Sequence, residues 1–264
     1  MPAITIAIAN QKGGVGKTTT TVNLGDALAR MGIPTLIVDL DPQANATSSL
    51  GFEKKAGEGI YDPLLAGGDL SDRMIAARKN LWLVPSELDL AAAELELSSQ
   101  KNYLGNLKKC LANLKKGNKV KAILIDCPPT LGILSMNSLT AADQLLVTLQ
   151  TEYLALEGLS QIIGVIDQLK KSGVNKDIAL GGIVMTMYDG RTKLSQEVHN
   201  EVKSHYSNKL FATQIPRNIR LSECPSFGQT IFEYDDKSPG AKAYLRLADE
   251  VTERFFSQPK KSKK

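Results

Sequence analysis

The chain has few of the residues that build metal centres or redox pairs. Its 264 residues include three cysteines and two histidines. Cys110, Cys127 and Cys224 lie far apart and form no C-x-x-C pair, and His199 and His205 are too few for a His-rich site. That spacing argues against a zinc ribbon or a dithiol redox centre, and reduced thiols in a cytosolic protein are expected. No apolar run approaches the length of a membrane span. The apolar start, Met1 to Ala9, has only strand length, and lysine and glycine follow it rather than a small-residue cleavage site, so no targeting segment is expected. Bulk charge is also missing. The formal charge is +4, and Lys260, Lys261, Lys263 and Lys264 supply all of it (4 − 4 = 0). Attraction to polyanions must therefore come from local patches or from this tail.

What is present is ordinary globular composition, 42% hydrophobic and 23% charged, in a chain long enough to bury a full core without disulfides or metals. The pattern alternates strand and helix. Ile4–Ala9, Pro34–Leu40, Leu81–Val84, Ala122–Asp126, Gln144–Leu149 and Ala179–Thr186 are apolar runs rich in Ile, Leu and Val. Helical spacing marks Thr18–Met31, Leu104–Lys116, Ala155–Lys171, Lys193–Ser204 and Ala241–Phe256. Ser86 with Asp89 is expected to open a further helix as a capping box. Lys54–Arg78 carries loop signals and no recognisable chemistry. Near-continuous apolar strands separated by helices predict a doubly wound, mostly parallel α/β sheet covered on both faces, with its ligand at the carboxyl ends of the strands. Residues 1–257 are read as one domain and 258–264 as a disordered basic tail.

The chemistry concentrates in residues 10–19, Asn-Gln-Lys-Gly-Gly-Val-Gly-Lys-Thr-Thr. This stretch follows a strand and opens a helix, as a P-loop requires. Gly13, Gly14 and Gly16 let amides turn inward, and with Val15 and the helix N-terminus they form a cradle for a polyphosphate such as that of ATP. Lys17 is placed to reach the outer phosphates, Thr18 to ligate Mg²⁺, and Thr19 to line the phosphate site. Gln11 stands where the first glycine of the general motif belongs, and Lys12 is a second lysine inside the loop. Asp126 ends an apolar strand in the manner of a Walker B acid, near Mg²⁺ through water. Asp39 and Asp41 end the strand after the P-loop helix, and Asp41 is the better candidate to orient or deprotonate the attacking water.

With these residues the sequence resembles the ParA/MinD group of deviant Walker A ATPases, over nearly its whole length. Lys12–Thr19 resembles the deviant cradle, Asp39–Asn45 the first switch, and Asp126–Pro129 the Walker B and second switch. Gln150–Gly158 and Ile215–Ser226 resemble the chromosomal ParA, or Soj, branch. The resemblance implies slow ATP hydrolysis by a homodimer that sandwiches two nucleotides. Lys12 would reach the partner's phosphates, Pro216 and Asn218 would lie against adenine, and Glu152 would contact ribose across the dimer. It also implies non-specific binding of double-stranded DNA through Arg191 and Arg220, and stimulation by a ParB-type centromere-binding partner. Arg217, Lys193, Lys203, Lys242 and Arg246 are further basic candidates on charge alone.

Two alternatives differ in class. A MinD-like membrane switch would use a C-terminal amphipathic helix, and Tyr244, Ala248, Val251 and Phe255 recur at helical spacing. Acidic residues interleave that stripe, so core packing is the expectation and membrane association is not. A metabolic P-loop kinase or ligase would act on a small substrate instead. Only nine residues precede Asn10, so no operator-reading helix-turn-helix is expected there.

Overall fold

The computed structural model describes residues 2–257, and the lysine tail lies outside the described residues. Among the described residues eight strands form one sheet: β1 (Ile4–Ala9), β2 (Thr35–Asp39), β3 (Ile75–Arg78), β4 (Leu81–Val84), β5 (Ala122–Asp126), β6 (Gln144–Gln150), β7 (Ala179–Tyr188) and β8 (Leu210–Pro216). Their order is β3-β4-β2-β5-β1-β6-β7-β8. Every pairing is parallel except β3 with β4. Among the described residues twelve α-helices accompany them: α1 (Lys17–Arg30), α2 (Asn45–Ser49), α3 (Tyr61–Ala66), α4 (Leu90–Ser98), α5 (Asn106–Cys110), α6 (Ala112–Lys116), α7 (Ile133–Ala141), α8 (Ala155–Lys171), α9 (Lys193–Tyr206), α10 (Ile219–Glu223), α11 (Ile231–Tyr234) and α12 (Pro239–Phe255).

The pleat divides the core into two layers. Ile6 and Ile8 point into one cluster with α1 and α12, while Ala7 and Ala9 point into the other with α4, α5, α7 and α8. Because both faces are covered, β2 and β5 are buried at every position, and for that reason they read as unbroken apolar runs. Tyr244, Ala248 and Val251 of α12 are fully buried against this sheet. The stripe is core packing, as expected, and α12 offers no free apolar face along those residues. Among the described residues no helix is long and apolar enough to cross a membrane.

The structure corrects several expectations. β8 was not foreseen, because its residues alternate between buried and partly exposed rather than running apolar. β3 was missed because its four residues, Ile-Ala-Ala-Arg, are short and poor in β-branched side chains. It is an antiparallel edge strand inside the Lys54–Arg78 stretch, which also contains α3. The helix expected over Leu104–Lys116 divides at Leu111 into α5 and α6. Ser86 does not cap α4: the N-cap is Asp89, which makes no side-chain cap bond, and the Ser86 hydroxyl donates to the carbonyl of Asp41 instead.

Both margins of the sheet engage the chain's own side chains. Arg78 of β3 donates to the carbonyls of Leu50 and Gly228 and pairs with Glu233. Glu250 of α12 accepts from the amides of Ala212 and Thr213 on β8, both at 2.8 Å. Near β3, Gly228 (φ +63°) packs so closely on Gly51 that an added Cβ would lie 2.6 Å from the Gly51 Cα. Backbone cannot swing aside as a side chain can. Gly228→Ala is therefore expected to lower the unfolding free energy by about 2–4 kcal/mol, combining left-handed strain with overpacking. Gly32→Ala (φ +82°, open space) is expected to cost only the strain, about 1–2 kcal/mol. Urea unfolding of both variants measures the difference.

Candidate nucleotide site

The site forms where β1, β2, β5 and β7 end on the same margin of the sheet. β1 runs into the glycine loop, and Gly14 (φ +74°) and Gly16 (φ +85°) take left-handed conformations that favour glycine. Gly16 is the N-cap of α1, and no side chain caps that end. The first amides of α1 are thus left for a ligand, and the helix dipole favours an anion there. Thr186 of β7 pins the loop from behind by donating to the Val15 carbonyl at 2.8 Å.

Lys17 opens α1, and its Nζ donates to the Lys12 carbonyl at 2.9 Å. Burial pulls its pKa below the usual lysine value, against the opposing attraction of Asp126, Cys127 and Asp41. Thr18 donates to Asp126 Oδ2 at 2.7 Å, and Thr21 donates to Asp126 Oδ1 at 3.0 Å. Asp126 therefore stands behind Thr18, with both carboxylate oxygens engaged by hydroxyls of α1. Among the described residues no group of three or more His, Cys, Asp or Glu side chains could hold a metal by itself. That donor set fits Mg²⁺, which keeps waters and is completed by substrate phosphates.

Asp39 is fully buried beside Asp126, with which it pairs in register across β2 and β5. It accepts from the Thr47 amide at 2.8 Å, the Thr47 hydroxyl at 2.7 Å and the Asp41 amide at 3.3 Å. Burial raises Asp39 to about 6 and, with the neighbouring Asp39 charge, raises Asp126 to about 8. Asp41 reaches the cavity wall, and its carboxylate accepts from the Gln43 amide at 2.9 Å.

The cavity, about 700 Å³, is bounded by Gly13, Gly14, Gly16, Lys17, Thr18, Thr19 and Asp41 on one side. Met187, Pro216, Arg217 and Asn218 line the same cavity. Pro216 and Asn218 thus join the phosphate cradle in one cavity, although they lie some 200 residues apart in the chain. Asn218 also caps α10 by accepting from the Arg220 amide. Lys12 and Glu152 are not brought to this cavity. They form an exposed ion pair with each other, beside a second cavity of about 330 Å³ that Val15 also lines.

β7 and β8 are neighbours in the sheet, and Arg191 stands on the loop after β7 and Arg220 on α10, which follows β8. Each is exposed and held by acids. Arg191 pairs with Asp189 at 2.7 Å, and that bond lowers Asp189 to about 2. Arg220 pairs with Glu223 at 3.0 Å and lies over the Tyr234 ring.

Thr21, Thr47 and Ser86 were not anticipated as site residues. Thr21 was legible, since it lies three residues after Thr18 on the same face of α1. Thr47 and Ser86 carry no local signal, because their partners come from other strands.

In the metal-free protein the two raised carboxylates bind more protons folded than unfolded. Their contribution to stability is complete below about pH 4 and is lost as pH rises through about 6 and about 8. The unfolding midpoint of the metal-free protein should therefore fall between pH 5 and pH 8 by several degrees, and Asp126→Asn should flatten that slope. A series of thermal melts across pH, with chelator present, measures it.

Comparison with known proteins agrees with this geometry. Residues 3–180 match the family model described as an AAA domain. The sporulation initiation inhibitor protein Soj of Bacillus subtilis is 48% identical over 248 residues, covering 93% of this chain and 97% of that protein. The chromosome partitioning protein ParA of Caulobacter vibrioides is 41% identical over 255 residues, covering 96% and 95%. The crystal structure of a protein named cobyrinic acid a,c-diamide synthase from Mycobacterium smegmatis, with bound ADP and magnesium, superimposes with a TM-score of 0.83 at 36% identity, covering 98% and 97%. With a deviant cradle at the head of α1, a Walker B acid behind Thr18 and these relatives along nearly its full length, the chain belongs to the ParA/Soj family of P-loop ATPases.

Proposed function

We propose that this protein is a DNA-partitioning ATPase whose ATP-bound dimer binds double-stranded DNA without sequence preference and is released on hydrolysis. The observation that supports this most directly is one cavity of about 700 Å³ lined both by the uncapped head of α1 and by Pro216 and Asn218. Its ligands are ATP and Mg²⁺. Gly13 to Thr19 would hold the phosphates, and Pro216 with Asn218 would bound the adenine. Thr18 would hold Mg²⁺ directly and Asp126 through water, and the ion would supply charge neutralisation on the phosphate oxygens. Asp41 would orient the attacking water and accept its proton.

Lys12 is assigned to the partner's phosphates in a sandwich dimer, where a second cation stabilises charge during transfer. Its exposed position and its pairing with Glu152 leave it available for exchange to another anion. Arg191 and Arg220 are assigned to DNA phosphates, each leaving a surface carboxylate to do so. A ParB-type protein is the expected stimulating partner, and nucleoid association within the cytoplasm the expected location. The names of the relatives Soj and ParA favour this reading over a MinD-like membrane switch.

Binding to random-sequence duplex DNA with ATP and with ADP, across a salt series and beside anionic liposomes, tests the proposal. ATP-dependent, salt-sensitive DNA binding without liposome binding is expected. Liposome binding alone would favour the membrane switch, and neither would favour a small-molecule enzyme. Arg220→Ala should weaken DNA binding, leave the ATP dimer intact and reduce the slope of log affinity against log salt by roughly 2 per dimer, one phosphate contact being lost from each subunit. Lys17→Ala should abolish ATP binding by equilibrium dialysis.

A further inference from the structure

The carboxyl end of β4 contributes to this site through a side chain that touches no part of the cavity. β4 pairs in parallel with β2, Val84 opposite Val38, so the residues after both strands run side by side. Ser86 is buried there and donates its hydroxyl to the Asp41 carbonyl at 2.7 Å. The Ser86 amide in turn donates to the Thr47 hydroxyl at 3.0 Å. Thr47 donates that hydroxyl to Asp39, and Asp39 accepts from the Asp41 amide. The four residues thus close a ring of hydrogen bonds, Asp41 to Ser86 to Thr47 to Asp39 and back to Asp41.

The ring grips Asp41 by its main chain on both sides, at N–H and at C=O, and leaves its carboxylate facing the cavity. It also holds a strained turn. The Ala44 amide donates to the same Asp41 carbonyl at 2.8 Å, and Ala44 is buried with φ +50°, a conformation uncommon for a residue with a Cβ. Such strain persists where the surroundings over-determine it, and it collects at functional sites. Serine and threonine suit the ring because each hydroxyl donates while it can also accept. Thr47 uses both capacities, accepting from Ser86 and donating to Asp39.

We propose that Ser86 and Thr47 are positioning residues for ATP hydrolysis, fixing where the Asp41 carboxylate points without contacting nucleotide. This rests on the assignment of the attacking water to Asp41. A displacement of the carboxylate by about 1 Å is enough to slow a reaction by up to a hundredfold, while the phosphates and base are held by other residues. The signature is a loss of turnover with nucleotide affinity retained.

Single-turnover ATP hydrolysis and ATP affinity, measured on the purified full chain, test it with Asp41→Ala as reference. Ser86→Ala should lower the hydrolysis rate by about tenfold or more while ATP affinity and the unfolding midpoint stay near those of the parent. Ser86→Thr, which keeps the hydroxyl, should recover most of the rate. Thr47→Val should reproduce the loss and Thr47→Ser should recover it, which keeps the proposal testable if Ser86→Ala does not fold. Parent-like hydrolysis by folded Ser86→Ala or Thr47→Val, with Asp41→Ala inactive, overturns the proposal. Loss of ATP affinity in parallel with rate, or failure of both hydroxyl-keeping variants to recover it, also overturns positioning as the role. Normal hydrolysis by Asp41→Ala would instead remove the Asp41 assignment on which the proposal stands.

Discussion

Two carboxylates placed side by side in the middle of a sheet, Asp39 and Asp126, fix the arrangement of the site. Their backbones are paired across β2 and β5, so neither can move without breaking the ladder. Both are fully buried, and a buried carboxylate must be hydrogen-bonded, protonated or faced with a cation. The chain gives each its own set of donors. Thr18 and Thr21 of α1 serve Asp126, and Thr47 with the Asp41 amide serves Asp39. The head of α1 and the turn after β2 are thereby drawn to one point, beneath the glycine loop. The electrostatic cost of that crowding is greatest without a metal and falls when a cation joins the cradle, so the same pair links the fold to the ligand.

The rest of the cavity follows from strand order. β1 lies between β5 and β6, and β7 and β8 continue the sheet outward. The segments after β1, β2 and β5 carry the glycine cradle, Asp41 and Pro129, while the ends of β7 and β8 and the turn after β8 carry Met187, Pro216 and Asn218. Arg191 follows β7 on its loop, and Arg220 follows Asn218 on α10. A ligand that orders Met187, Pro216 and Asn218 acts on the segments that bear these arginines. That shared backbone gives a physical route by which nucleotide state could alter affinity for a polyanion.

Much of this was legible in the sequence. β1, β4, β5 and α8 run over the expected residues, because buried parallel strands read as apolar runs and α8 has a regular helical stripe. The cradle was legible because its glycines and lysines are contiguous. β8 was hidden because a half-buried edge strand has no unbroken apolar run, and β3 because alanine and arginine carry little strand preference. The pairing of Lys12 with Glu152, 140 positions apart, was hidden for another reason. Sequence motifs report neighbours along the chain, and a contact between two loops depends on the whole sheet being assembled. Ser86 was misread because a serine three residues before an acid at the start of a helix has the form of a cap. Only the parallel pairing of β4 with β2 reveals that its hydroxyl faces the first switch.

The margins of the sheet set how copies of the chain can meet. An open sheet can grow when a bare edge recruits another strand, which produces extended and poorly reversible assemblies. Here Glu250 occupies the Ala212 and Thr213 amides on one margin, and Arg78 ties the other into the body of its own chain. Strand addition is thus disfavoured at those points of both margins. Two copies brought together by any other surface can separate without a strand being pulled from a sheet.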